Sequence, residues 1–340
     1  MSDPGMPPPS RPSQGPRDDP RRSALRVLAT GTQALVQDLG RPGLAPLGVG
    51  RAGAADRAAH ALAARLLAQD PSVAGFEVLL GGLVLRAEAS GPRSTPLMIC
   101  LAGAPAPATV DDRPVALGSP LLLHPGQTLA LGVPPAGLRT YVGVRGGLLV
   151  PPVLGSRSRD TLAGLGPAPL VAGDLLPVGD PPPLHPHVDL APTPPVPGLA
   201  TPLVLRVSAG PRADWVDPGD GPAGDGPAEA GGHGIPAALL ETTWTVSEHT
   251  DRVGTRLEGP RLTRAAAYRD RELASEPMVR GAVQVPPDGR PVVFGADHPV
   301  TGGYPVVAVV ADADVDRLAQ ARPGQQVRFR AHTRASGAGA

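Results

Sequence analysis

The chain has 340 residues and a formal charge of zero, with 31 basic and 31 acidic side chains. That balance lacks the basic footprint of nucleic-acid or anionic-membrane binding, and no run approaches the roughly 20 apolar residues of a membrane helix. Every basic residue is arginine. A chain without lysine carries no Schiff-base lysine, no phosphate-loop lysine and no biotinyl-lysine of its own.

Proline (46) and glycine (44) exceed a quarter of the chain, close to a low-complexity level. Here they punctuate short apolar runs, the pattern of a mainly β protein with many turns and a few short helices. The length suits two domains. Residues 1–22, rich in Pro, Ser and Arg without an apolar core, read as a disordered tail rather than a signal peptide, which points to a cytoplasmic address. Residues 23–179 read as a first β-rich domain, 180–202 as a stiff proline-rich linker, 203–332 as a second β-rich domain and 333–340 as a tail.

In chain order, Arg26–Ala29 and Gln33–Val36 read as a hairpin broken at Gly31. Asp56–Ala68, rich in Ala, Leu and Arg, reads as a helix with Asp56 suited to its N-terminus, and Asp70-Pro71 ends it. Phe76–Leu80 and Leu83–Glu88 flank Gly81-Gly82 as a second hairpin. Strands are expected at 97–101, 121–123, 128–131 and 140–144. The run 97–101 contains Cys100, the sole cysteine, read as buried and inert. Past the linker, strands are expected from Leu203 and at 242–246, 282–285, 292–294, 306–310 and 326–330. A mobile loop is expected over Pro218–Gly234, and short helices at 237–241 and 315–321. Gly281–Phe294 is a strand, a Pro286–Gly289 turn and a second strand, followed by a glycine corner, Thr301-Gly-Gly-Tyr-Pro305. Adjacent Gly302 and Gly303 imply positive φ angles or a close backbone approach.

Several chemistries have no support. No GxxxxGK[ST], HExxH or Gly-x-Ser-x-Gly occurs. The histidines are scattered, so no metal site is expected. The GxGxxG matches at Gly48–Gly53 and Gly219–Gly224 lack a preceding strand and read as chance. Arginine–carboxylate pairs at turns remain: Asp38 with Arg41, Arg157 with Asp160, and Asp251 with Arg252. Each either fixes a loop or holds an acidic substrate through the arginine fork; taken singly, the loop-fixing reading is favoured.

As an ordered set, the segments carry more information. They are Val36–Gly43, Leu47-Gly-Val with Gly53-Ala-Ala-Asp56, Phe76-Glu-Val, Val153–Ser158 with Asp160, Ala172-Gly-Asp174, Asp251-Arg252 with Arg256–Gly259, Ser275-Glu276, Gln284–Pro291 and Thr301–Pro305. This set resembles the family of the 5-oxoprolinase C subunit, also called allophanate hydrolase subunit 2 or the biotin-dependent carboxyltransferase family. The chain departs from the family pattern at Arg51–Ala55, at Pro105 and at Val300. The resemblance implies two β-rich lobes with a cyclophilin-like barrel. It also implies a subunit that cleaves 5-oxoproline to glutamate with partner subunits at the expense of ATP, the ATP acting through the complex. The alternatives it implies are a carboxyltransferase using biotin on a separate carrier, and a regulatory subunit binding a kinase inhibitor. On that reading Arg157, Arg252 and the Gly302 and Gly303 N–H groups are anion binders. Asp251, Glu276 and Asp297 are acid/base or positioning groups, and Gln284, Thr301 and Tyr304 contact the small-molecule substrate.

Overall fold

Leu25 and Val27 point inward and Leu28 outward in Ala24–Thr30, the period-two burial of a half-covered strand. The computed structural model describes residues 23–89, 95–217 and 234–332. The expected tails, 1–22 and 333–340, and nearly all of the expected loop at 218–234 lie outside them. The first lobe contains β1 (Ala24–Thr30), β2 (Gln33–Gln37), α1 (Arg57–Leu66), β3 (Gly75–Leu79), β4 (Leu83–Glu88), β5 (Leu97–Gly103), β6 (Ala108–Val110), β7 (Arg113–Val115), β8 (Leu121–Leu123), β9 (Thr128–Leu131), β10 (Arg139–Val144) and β11 (Leu175–Pro177). They form a six-stranded sheet, β11-β1-β4-β9-β6-β7, and a five-stranded sheet, β2-β3-β10-β5-β8. Leu25, Leu85 and Leu129 from the first sheet meet Phe76, Leu101 and Val142 from the second in one core.

Neither expected hairpin of this lobe forms. β1 pairs with β4 and β11, whereas β2 pairs with β3. The chain changes sheet at Gly31 and changes back at Gly81-Gly82. These two corners stack backbone on backbone. A Cβ on Gly31, at φ +63°, would lie 2.0 Å from the Gly81 carbonyl oxygen, so only glycine fits. Strand alternation is the same for a hairpin and for a corner between sheets, which is why the sequence could not separate them. β6, β7 and β11 are three residues each and carry no alternation long enough to read.

The helix α1 begins where expected. The Asp56 carboxylate caps it, accepting the Ala59 N–H at 2.9 Å. Its buried face, including Ala59 and Ala63, packs with Ala102 and Tyr141.

The second lobe contains β12 (Leu203–Ala209), α2 (Ala237–Glu241), β13 (Trp244–Val246), β14 (Gly254–Glu258), β15 (Glu276–Pro277), β16 (Ala282–Gln284), β17 (Val292–Phe294), β18 (Thr301–Gly302), β19 (Val306–Val310), α3 (Asp312–Leu318) and β20 (Gln326–Ala331). Seven strands close into a barrel, β12-β19-β16-β17-β14-β13-β20. The parallel pairing of β20 with β12 completes the ring and removes the open edges. Fully buried Trp244 fills the interior and donates its indole N–H to the Leu239 carbonyl at 3.1 Å. The expected hairpin across Pro286–Gly289 is present, with Gln284 opposite Val292. β15 and β18 form a separate two-stranded ribbon. α3 starts three residues before the expected position.

Residues 181–202 contain no helix or strand and run as a strap over both lobes. Arg145 donates to the Pro182 and Leu184 carbonyls, Ala191 N–H to Gly118 at 2.8 Å, and Gln325 to Thr201 at 3.4 Å. The lobes also meet directly. Just past α3, the Gln320 amide oxygen accepts the Leu138 and Arg139 N–H groups at 3.0 and 2.8 Å. Its NH₂ donates to the Arg139 carbonyl and to Asp56 at 3.0 and 2.7 Å. A buried amide thus satisfied on every side fixes one relative placement of the lobes.

Candidate functional site

Two features lie on the seam between the lobes: a buried ion network and an open cleft. Glu77 projects from the middle of β3 in the first lobe. Arg252 and Asp297 come from loops of the second lobe, and all three are buried. Arg252 grips Asp297 through two hydrogen bonds of 2.9 Å, from Nε and Nη2. It also donates to Glu77 Oε1 and, at 2.5 Å, to the Gly53 carbonyl. Glu77 further accepts the Ala55 N–H and the Tyr141 hydroxyl, each at 2.8 Å, with Arg139 Nε 3.4 Å away. Burial alone would raise the Glu77 carboxyl; Arg252, Arg139 and these donors outweigh it and hold the pKa below its ordinary value. The same carboxylates hold Arg252 firmly protonated against its own burial. Asp297 Oδ2 also accepts both the N–H and the hydroxyl of Thr161, at 2.8 and 2.7 Å. This second tie pins the 160–163 loop of the first lobe to the barrel.

These contacts revise the expected roles. Arg252 is spent on protein carboxylates and a carbonyl, so it is a clasp between lobes and not an open anion binder. Asp297 accepts four hydrogen bonds, two from Arg252 and two from Thr161, so its carboxylate is committed to protein donors in this arrangement. Asp251 is exposed and caps its own turn, accepting Val253 and Gly254 N–H at 2.8 and 3.1 Å. Arg157 stays within the first lobe, where Nε donates to the Val150 carbonyl at 2.8 Å. Glu276 is paired with Arg212, the Nε bond being 2.9 Å. Gln284 is buried and donates to the Tyr304 carbonyl at 3.2 Å, a bond that shapes the glycine corner from inside. Glu276, Thr301 and Gly302 do come together, on the β15–β18 ribbon, where Glu276 faces Gly302. Tyr304 is 45% exposed beside them.

Neither Gly302 nor Gly303 has a positive φ, contrary to one arm of the expectation. A Cβ on Gly302 would lie 2.8 Å from Gln284 Nε2 and 3.2 Å from Met278 Cε, whereas one on Gly303 meets only the Leu273 carbonyl oxygen at 3.6 Å. Gly302→Ala is therefore expected to cost about 1–2 kcal/mol through overpacking and Gly303→Ala less than about 0.5 kcal/mol. Denaturant titration of both variants checks the order, and a larger loss in Gly303→Ala would contradict it.

The cleft has a volume of about 480 Å³ and is walled by Gly48, Gly50, Asp160 and Leu162 of the first lobe and by His298 and Thr301 of the second. Gly50 lies close to both walls of the cleft. A Cβ there would lie 3.4 Å from the His298 carbonyl oxygen and 3.6 Å from Asp160 Oδ2. The first GxGxxG match thus lies on the cleft, though in a loop and not in a nucleotide fold. Asp160 is buried; its Oδ1 accepts Leu162 and Ala163 N–H at 3.0 and 2.9 Å. Its Oδ2 has no hydrogen-bond donor among the described residues.

His298 is the site residue that sequence reasoning missed. Its Nδ1 is 2.8 Å from the Pro299 carbonyl oxygen. A carbonyl only accepts, so Nδ1 carries the proton and Nε2 keeps its lone pair. Nε2 has no partner among the described residues. Burial, reinforced by the positive charges of Arg57 and Arg280, lowers the imidazole pKa from its ordinary value. At pH 7 the ring is therefore neutral, a proton acceptor at the wall of the cleft. No local motif marks it: the histidine only acquires meaning once Gly50 and Asp160 arrive from the other lobe. Among the described residues, no group of three or more His, Cys, Asp or Glu could hold a metal ion, and no helix is long and apolar enough to cross a membrane.

A sheet sandwich clasped to a closed barrel by a buried ion network, with a cleft along the seam, defines a two-subdomain β scaffold. The chain belongs to the carboxyltransferase-domain family: residues 47–331 match the domain described as subdomain A and B. It is 33% identical to the 5-oxoprolinase C subunit of Escherichia coli (strain K12) over 308 residues, 90% of each chain. Its fold is similar to the crystal structure of TTHA0988, with a TM-score of 0.77 and 32% identity, covering 97% of this chain and 60% of that one. It is also similar to the K. lactis urea amidolyase structure, with a TM-score of 0.75 and 26% identity over 92% of this chain but only 19% of that one. The expected family, the mainly β class and the barrel are thus borne out.

Proposed function

We propose that this chain is one subunit of an ATP-dependent amidohydrolase complex that opens 5-oxoproline to glutamate, and that the interlobe cleft is its substrate-facing surface. The observation that carries the reading is the match to the 5-oxoprolinase C subunit across 90% of both chains. Against urea amidolyase the chain spans only a fifth of a much larger polypeptide. Having no phosphate loop, the chain leaves ATP to a partner subunit. Phosphoryl transfer from ATP to the lactam oxygen turns an inert amide carbon into an electrophile. Water adds to that carbon, and His298 Nε2 takes its proton. The C–N bond then breaks, the proton returns to the departing nitrogen, and the acyl phosphate left behind is hydrolysed by a second water. Asp160 Oδ2, acceptor-only when ionised, positions the attacking water.

The test is to purify the chain with its native partners and assay the assembled complex with 5-oxoproline and ATP. Turnover is expected from the complex and none from the chain alone. Oxoproline-dependent ATP hydrolysis by the isolated chain would sink the partner requirement. A second reading, carboxyl transfer, is favoured by the family's domain description. The chain has no lysine, so the biotin would sit on another protein, and a biotinylated partner in the same pull-down would support that reading instead.

A further inference from the structure

A second cavity of about 320 Å³ lies between α1, α3 and the strap, and shares no wall residue with the cleft of His298. α1 presents Ala58, Leu62 and Arg65 to it, spaced i, i+4, i+7, and α3 with its following turn presents Ala313, Asp316 and Gln320 at i, i+3, i+7. Two helix faces therefore form opposite walls. The third wall is the strap, where Pro192, Pro194, Pro195 and Pro197 flank Val196. Proline has no N–H to offer, so this wall is stiff and apolar, with the Val196 N–H its one backbone donor among the lining residues.

The polar groups are sorted by depth. Asp56 and Gln320 are buried at the floor. The Gln320 NH₂ is committed to Asp56 and the Arg139 carbonyl. Each Asp56 oxygen accepts one hydrogen bond, from Ala59 N–H or from Gln320, and keeps a free lone pair. Asp316 Oδ1 accepts the Arg57 N–H at 3.0 Å and an Arg280 bond at 2.5 Å. Its Oδ2 has no hydrogen-bond donor among the described residues. Arg65 and Arg317 also line the cavity and are exposed. At the floor Asp56 and Asp316 offer carboxylate oxygens with lone pairs to spare, while the lining donors are the Val196 N–H and the guanidinium groups of exposed Arg65 and Arg317. An anionic head beside Asp56 and Asp316 would face like charge, whereas an ammonium brings three donors to those two carboxylates.

We propose that this cavity is a second ligand site, built for a compact primary ammonium with an apolar body. The ammonium sits between Asp56 and Asp316, and the body lies against Leu62 and the prolines. The volume is at the small end of ligand pockets, and a branched five-carbon amine fits within it.

The full chain is titrated by calorimetry with 3-methylbutylamine, with the uncharged 3-methylbutanol and with the anionic 4-methylpentanoate. The amine is expected to bind with a dissociation constant of about 1 mM or tighter, in keeping with its few heavy atoms, and the alcohol and acid at least about tenfold more weakly. Asp316→Asn is expected to weaken the amine about tenfold. Ala58→Trp, at an exposed helix position, is expected to fill the cavity and abolish binding at an unchanged melting temperature. His298→Ala is expected to leave amine binding unchanged, which separates this site from the cleft. No heat from the amine at about 20 mM, far above that constant, would overturn the proposal. Equal binding of the acid, or undiminished binding in Ala58→Trp, would do the same.

Discussion

Arg252→Met is expected to destabilise the protein by about 3–5 kcal/mol, the usual cost of removing one partner from a buried ion network. The guanidinium answers Glu77 and Asp297 together, and both are almost wholly buried. Without it Asp297 loses its cation and Glu77 keeps only Arg139, 3.4 Å away. Lysine is not a substitute, since one ammonium cannot reproduce the two-point grip on Asp297 while also reaching Glu77 and the Gly53 carbonyl. The network also implies a compensating change. Glu77→Gln and Asp297→Asn in the Arg252→Met background remove the stranded charges and are expected to recover a large part of the loss. Equilibrium urea denaturation of the single and triple variants measures both. A single variant within about 1 kcal/mol of the parent, the worth of an exposed ion pair, would show that the clasp contributes no more than a surface contact. The carboxylate linkage has a definite sign. The Glu77 pKa is depressed in the folded state, so its contribution is complete above the ordinary glutamate range and is lost as pH falls through the folded value.

His298→Ala is expected to lower kcat/KM of the assembled complex by about 10²–10⁴-fold, the range of a positioned general base, with little change in melting temperature because the ring is only partly covered. The pH profile separates a proton acceptor from a merely space-filling ring. The imidazole pKa lies below its ordinary value of 6.5, and a base works only when neutral. The parent complex should therefore lose activity as pH falls through a value below that point and run flat above it. The variant should lose that acid limb and keep only its residual rate. Equal activity in parent and variant across the range would remove His298 from the mechanism and leave Asp160 and Thr301 as the polar groups of the cleft.

Much of the architecture was legible from local chemistry. Short apolar runs between Pro and Gly turns announce β structure. Asp56 before an alanine-rich run announces a capped helix, and Pro286–Gly289 announces the turn that joins β16 to β17. Each signal lies within about ten residues and rests on backbone sterics or on one hydrogen bond. The ordered motifs located the family for the same reason: they are contiguous. Glu77 left a fainter trace, a charged residue inside the buried strand Gly75–Leu79, which could have been read as a demand for a cation elsewhere.

What the sequence determined by itself, then, is the β class, the two lobes, the helix start and the family. What only the tertiary structure decided is partnership. Asp251 and Arg252 are neighbours in the chain, yet one caps an exposed turn and the other joins Glu77 and Gly53 across the lobes. Gly31 and Gly81 are distant in the chain and touch. His298 becomes a neutral base because Pro299 holds its Nδ1 proton while burial and two arginines, one from each lobe, disfavour a second. These outcomes depend on which groups are desolvated together, and desolvation is a property of the packed seam and of no single segment.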